Sequence, residues 1–219
     1  MKLVADKVGY KYYRKNKKVL FELKETVLKP EEGKLTEIVG HSGSGKSTLL
    51  NICAGLLTPD TGHLLVGDKD LYSLSDEERS RFRNAHIGII PQGQSVLKHL
   101  TVTENILLPI SMYREDTPTN LLNELIENLG LKKLENEKAG GLSGGEMRRV
   151  AIARALIGKP EIILADEPTG DLDADNRKLV LTALKNIAGE GKTVLMVTHD
   201  REAEEYADKI LKMDGGILI

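Results

Sequence analysis

The chain of 219 residues contains one cysteine, no tryptophan, two phenylalanines and six tyrosines. A single cysteine, Cys53, excludes an internal disulfide, and its setting in LLNICAGLL reads as a small core residue, not a reactive thiol. No apolar run approaches the ~18–20 residues that span a bilayer. The opening stretch, MKLVADKVGYKYY, lacks the apolar segment of a secretory signal. The chain by itself is therefore expected to be soluble, which leaves room for attachment to a membrane through a partner. An excess of one charge is also missing: 31 Lys and Arg against 33 Asp and Glu leave −2 at pH 7, so no basic field points to nucleic acid. Tandem repeats and low-complexity tracts are absent as well. What remains is 40% hydrophobic and 29% charged, the balance of an ordinary globular chain that can build a core without staples.

The first 30 residues alternate and are rich in β-branched and aromatic side chains, which predicts antiparallel strands around a polar turn at Lys15–Lys18. GKLTEIVG predicts a short strand, GKSTLLNICAGLL a helix, GHLLVGDKDL a strand pair, and SDEERSRFRNA a helix capped by Ser75 or Asp76. HIGIIPQ reads as a strand ending in a loop. From about residue 94 to 157 the pattern becomes helical, and Leu121, Leu122, Leu125, Ile126 and Leu129 share one face before Gly130 stops the helix. From Glu161 strand and helix alternate again, with REAEEYADK in a helical position. Apolar strands between helices argue for an α/β fold with a mostly parallel sheet covered on both faces. The expected organisation is a single domain, 1–219. Residues 1–93 and 158–219 would form the core and an N-terminal antiparallel β subdomain, with 94–157 an inserted α-helical subdomain.

Residues 40–48, GHSGSGKST, fit G-x-x-x-x-G-K-[ST] with Gly40, Gly45, Lys46 and Ser47 in the defining positions. Glycines let backbone N–H groups converge on an anion, and the following helix adds its free N–H groups and dipole. Lys46 would reach the β- and γ-phosphates and Ser47 would ligate Mg²⁺. IILADE, residues 162–167, is an apolar strand ending in Asp166, the expected Mg²⁺ partner, and Glu167, placed to orient and polarise a water beside the γ-phosphate. Gln92, after IGIIP, can contact a water and the metal ion, and His199, closing TVLMVTH, can hydrogen-bond the γ-phosphate. LSGGEMRRVAIARAL supplies a second anion-binding helix start at Ser143, Gly144 and Gly145, with no second lysine and metal set beside it. One explanation is that it serves a nucleotide held by another copy of the chain.

Taken together, these residues resemble the ATP-binding cassette (ABC) ATPases, the nucleotide-binding subunits of ABC transporters, from about Leu3 to Gly216. The motifs stand in that family's order: phosphate loop 40–47, Gln92, the LSGGE signature 142–146 that opens a helix, the carboxylate strand 162–167, GDLD 170–173 and His199. The resemblance implies a P-loop NTPase core and a head-to-tail dimer with two ATP molecules between the copies. Each ATP would meet one chain's Gly40, His41, Ser42, Gly43, Ser44, Gly45, Lys46, Ser47 and Thr48 and the other's Ser143, Gly144 and Gly145. Asp171–Asp173 would lie at the seam. An aromatic near the N-terminus would stack on adenine; Tyr12 fits best by spacing, with Tyr10 and Tyr13 as rivals.

The stretches LYSLSDEERSRFRNAHIGIIPQ and ILADEPTGDLD resemble the lipoprotein-release, macrolide-export, antimicrobial-peptide-resistance and cell-division cassettes. That implies ATP hydrolysis with Mg²⁺ coupled to an integral membrane permease, at the cytoplasmic face of the membrane. A cassette ATPase acting on a soluble partner is the alternative. EMRR stands where QQQR or EQQR is usual, and His41 and Gly93 are also less usual choices.

Overall fold

The structure, a computed structural model, describes residues 1–93, 95–113, 117–170 and 172–219. The chain opens with a β-hairpin of β1 (Leu3–Tyr13) and β2 (Val19–Leu28), closed by a turn in which Arg14 N donates to Lys18 O at 2.8 Å. The buried strand β3 (Leu35–Val39) runs through the phosphate-loop residues into α1 (Lys46–Cys53). The next strands, β4 (Thr61–Val66) and β5 (Lys69–Asp70), complete a four-stranded antiparallel sheet of order β2-β1-β4-β5. Helix α2 (Asp76–His86) begins at Ser75, which caps Glu78 N while the Glu78 carboxylate returns to Ser75 N, and leads to β6 (Ile87–Ile90).

Three helices follow: α3 (Val102–Tyr113), α4 (Thr119–Asn128) and α5 (Gly144–Leu156). Leu122, Leu125 and Ile126 are the buried residues of α4, and Gly130 beyond it takes the left-handed φ of 63° that ends the run. Strand β7 (Ile162–Asp166), helix α6 (Ala174–Gly189) and strands β8 (Thr193–Thr198), β9 (Lys209–Asp214) and β10 (Ile217–Leu218) finish the chain.

The second sheet has six strands in the order β10-β9-β3-β8-β7-β6, parallel except for β10. Every residue of β7 and β8 is buried. Their alternating side chains divide between two cores: Ile163, Ala165, Val194 and Met196 pack with residues of the helices α3–α6, while Ile162, Leu164, Leu195 and Val197 pack with α1 and the antiparallel sheet. Burial on both faces is why these strands read as continuous apolar runs.

Two local expectations differ from the structure. The helix after the phosphate loop ends at Cys53, because Gly55 turns left-handed with φ 65° where a Cβ would approach Leu71 Cδ2 to 2.9 Å. Residues 201–206 wind as a 3-10 helix, not an α-helix. Asp200 accepts from Glu202 N at one end, and the Asp208 carboxylate accepts from Leu35 N at 2.9 Å beyond the other, so the segment is pinned at both ends.

Candidate nucleotide site

The C-terminal ends of β3, β7 and β8 bring the motif residues together, as expected where ligands meet open parallel sheets. The phosphate loop needs its glycines for two different reasons. At Gly40 a Cβ would lie 2.3 Å from Met213 O, so β9 approaches too closely for any side chain. At Gly45 φ is 110°, and a Cβ would fall 2.7 Å from Phe21 Cζ. The Lys46 side chain is buried, and its Nζ donates to Gly40 O at 2.7 Å and His41 O at 3.2 Å. Ser47 Oγ donates to Asp166 Oδ1 at 3.1 Å, which joins the start of α1 to the end of β7.

Burial raises the Asp166 carboxyl above its ordinary value; the Ser47 hydroxyl opposes this, and the adjacent Glu167 charge adds to it. Glu167 follows the strand with a left-handed φ of 46°, and its N donates to Val197 O at 2.9 Å. That turn points its carboxylate along β8. Oε2 accepts from Thr198 Oγ1 at 3.0 Å, and Oε1 lies 2.9 Å from His199 Nδ1. Glu167 is buried, whereas the His199 side chain is 71% exposed and keeps its outer face free for a ligand.

A cavity of about 420 Å³ is lined by Tyr12, Phe21, the loop from Ser42 to Thr48, Gln92, Glu167 and His199. Of the three candidate tyrosines, Tyr12 lines it; the Tyr10 ring packs edge-on against Tyr12 at 4.8 Å, and Tyr13 is 58% exposed. A second cavity of about 520 Å³ shares Gln92, Glu167 and His199 and adds Gly144, Met147 and Arg148. Ser143 caps α5 and Gly144 is exposed beside it, while Gly145 is buried with Asn176 so close that a Cβ would meet it at 2.7 Å. None of Ser143, Gly144 and Gly145 lines the phosphate-loop cavity. Asp171 lies outside the described residues; Asp173 caps α6 by accepting from Asn176 N at 2.8 Å.

Three further residues line or brace the site, of which the sequence points only to Arg148, as a departure with Met147 expected to alter the contacts of the signature helix. Phe21 faces Tyr12 across the hairpin with ring centroids 6.3 Å apart. Thr198 was an ordinary strand-end threonine in the sequence, and only the pairing of β7 with β8 sets it against Glu167. Arg148, visible only as a departure inside EMRR, is buried and donates from Nη1 to Pro91 O at 2.8 Å and from Nη2 to Glu167 O at 3.3 Å. It ties the signature helix to the residue before Gln92 and to the turn that carries Glu167.

A glycine loop with a buried lysine, a hydroxyl–carboxylate pair and a second carboxylate at the ends of parallel strands defines a P-loop nucleoside triphosphatase. The comparisons narrow that class. The family model described as ABC transporter matches residues 23–170. Over 219 residues the chain is 41% identical to an uncharacterised ABC transporter ATP-binding protein of Methanocaldococcus jannaschii, covering 99% of this chain and 98% of that protein. It is 38% identical over 205 residues to the lipoprotein-releasing system ATP-binding protein LolD of Colwellia psychrerythraea, covering 92% and 78% respectively. Among solved structures, the post-hydrolysis dimer of the ATP-binding cassette MJ0796 with ADP and phosphate superposes with a TM-score of 0.90 at 34% identity, covering 98% of this chain and 95% of that one. The chain belongs to the ABC transporter family, as one of its ATP-hydrolysing, nucleotide-binding subunits.

Proposed function

We propose that two copies of this chain clasp two ATP molecules head to tail and pass the work of closing and reopening to an integral membrane permease, at the cytoplasmic face of the membrane. One observation carries the reading: the phosphate-loop cavity has a lysine, a carboxylate, a histidine and an aromatic wall, yet takes no residue from 143–145. Ser143 and Gly144 stand exposed at the start of α5, only Gly144 meets this chain's Gln92, Glu167 and His199, through the adjoining cavity, and the reading gives that helix start to a nucleotide on the partner. Similarity to the ATP-binding protein of a lipoprotein-releasing system supports a place in a larger transport assembly, and the dimeric MJ0796 cassette supports the self-pairing.

Tyr12 stacks on the base, which contributes about 1 kcal/mol with little base selectivity. The loop amides and Lys46 hold the phosphates. Ser47, Asp166 and Gln92 offer only oxygen donors besides the amide nitrogen, the chemistry of a Mg²⁺ site in which one carboxylate and the nucleotide share the ion. The ion, when bound, neutralises charge on the phosphates. Glu167 orients and polarises the attacking water, held by Thr198 and His199. His199 contacts the γ-phosphate side. Hydrolysis removes the link between phosphate loop and partner signature, so the closed pair loses its advantage and opens. A swing from mostly open to mostly closed takes about 5.5 kcal/mol of differential binding, within reach of two bridging triphosphates. The helical segment 94–157 and the loop after Gln92 transmit the motion, and Arg148 is the link between them.

Glu167→Gln is expected to slow hydrolysis and hold an ATP-dependent dimer in size-exclusion chromatography. Ser143→Arg is expected to abolish hydrolysis while the monomer still binds nucleotide. A Glu167→Gln chain that stays monomeric in saturating ATP refutes the clasp. Recovery of a permease with the tagged chain from detergent extract tests the membrane partner.

A further inference from the structure

The phosphate loop is stitched to the β9–β10 hairpin at three points. Gly40 abuts Met213 O, Ser44 O accepts from Gly216 N at 2.9 Å, and His41 Nε2 meets Asp214 Oδ1 at 3.0 Å. Only the last can titrate near neutral pH. The other ring nitrogen of His41, Nδ1, lies 2.9 Å from Ser42 O. Both nitrogens therefore face acceptors, one a carbonyl and the other a carboxylate. A neutral imidazole has a single N–H and satisfies one of them; only the imidazolium donates to both.

We propose that His41 is an imidazolium that pins the phosphate loop to the β9–β10 hairpin through Asp214 and makes the affinity for ATP depend on pH. The inference rests on the nucleotide-binding reading above and adds a positioning residue to it. The charged groups that bear on His41 are Asp214 from β9, which holds the proton on, and Lys46 from α1, which opposes it. Balanced against Lys46, the Ser42 carbonyl and Asp214 leave the group raised above its ordinary value. The same residue's carbonyl accepts from Lys46 Nζ, so the position of His41 is also the position of one of the lysine's anchors.

The consequence has a definite sign. As pH rises through the His41 titration, above about 6.5, the imidazolium loses one of its two bonds and its charge. The loop is then less firmly held, and the field at the phosphates is less positive. Both effects weaken ATP binding. The pair is exposed, with 68% of the His41 and 56% of the Asp214 side chain accessible, so the effect is modest, about three- to fivefold in Kd.

The test has two arms. In the first, histidine-ring ¹⁵N chemical shifts are recorded for the full chain across pH 5.5–9, with Asp214→Asn for comparison. Both ring nitrogens of His41 are expected to be protonated at pH 7, and Asp214→Asn is expected to move the midpoint down. A neutral His41 ring at pH 7 overturns the inference. In the second, ATP affinity is measured by calorimetry over pH 6–9 for the chain and for His41→Gln, both in the Glu167→Gln background to prevent turnover. Titration of the nucleotide itself is common to the two proteins and cancels in their ratio. The expected result is a three- to fivefold convergence of the wild-type loop towards His41→Gln with rising pH. Parallel profiles with intact ATP binding overturn the role of His41 alone, whereas no ATP binding by either protein at any pH overturns the nucleotide reading with it.

Discussion

Glu37 lies in the middle of β3, fully buried, and neither carboxylate oxygen has a hydrogen-bond partner among the described residues. Burial pushes its carboxyl up to about 7 from an ordinary 4.5, and the nearby Glu204 and Asp200 add to the rise. An unfolded chain releases this proton near 4.5, so between 4.5 and 7 the folded state holds more protons than the unfolded one. Stability therefore falls as pH climbs through that window, with no penalty below it and the full penalty above it. At about 1.4 kcal/mol for each pH unit the full penalty is about 3 kcal/mol. Glu37→Gln keeps the shape and the polar atoms but removes the ionisation. At pH 8 the variant is expected to be more stable by about 3 kcal/mol, roughly 6–12 °C in Tm for a chain of this size. Near pH 4.5 it is expected to match the parent. Urea denaturation of both proteins without nucleotide, at several pH values, gives the difference directly. A difference that does not change with pH refutes the reasoning, and so does a variant that is less stable at pH 8.

Gly45→Ala is expected to abolish measurable ATP binding, since the new Cβ meets Phe21 and φ is 110°; Gly43→Ala, with φ 79° and open space around its Cβ, carries only the backbone strain of about 1–2 kcal/mol and should bind ATP more weakly. Tyr12→Ala is expected to weaken ATP about fivefold, and GTP by a similar factor, in calorimetry, because stacking reads the ring face and not its edge. Arg148→Met removes the donor to Pro91 O and Glu167 O; kcat is expected to fall about tenfold with KM for ATP within about twofold, at a cost of about 1–3 kcal/mol in stability. Unchanged kcat, or a loss confined to KM, would show that Arg148 does not position Glu167.

Most of the fold is readable from local pattern because the pattern has few physical solutions. Strands buried on both faces lose their alternation, as β7 and β8 do, and such strands separated by helices pack as a parallel sheet. The capping residues of α2 and α5 are equally local: Ser75 with Glu78, and Ser143 with Glu146, close on themselves within one turn. What local pattern does not contain is the tertiary limit on length. The helix after the phosphate loop stops where Gly55 meets Leu71, and residues 201–206 are held short by Asp200 and by Asp208 reaching β3. The Asp200 cap is local, but Leu71 is distant from Gly55, and Asp208 is held by Leu35, 173 residues away.

The site divides along the same line. The placement of the glycine loop and of the strand-end carboxylates was legible, because a glycine loop before a helix and a carboxylate after an apolar run have few other uses. Groups that act on those groups were not. Thr198 is a donor to Glu167 only because the register of β8 on β7 sets Val197 beside Asp166, so the next residue of each strand meets across the gap. Arg148 is informative only once its guanidinium is seen to reach two carbonyls, 57 and 19 residues away in sequence. The left-handed turn at Glu167 is the point on which these converge. Its N–H is held by Val197 O, its carbonyl by Arg148 and its carboxylate by Thr198 and His199. A backbone conformation that a glutamate seldom adopts is thereby fixed at every polar atom. A Glu167→Gly chain, which relaxes the φ but deletes the carboxylate, should therefore be more tolerant of Arg148→Met in stability than the parent, and a double-mutant cycle by urea denaturation measures that coupling. Strict additivity of the two changes would mean that the turn needs no support from the signature helix.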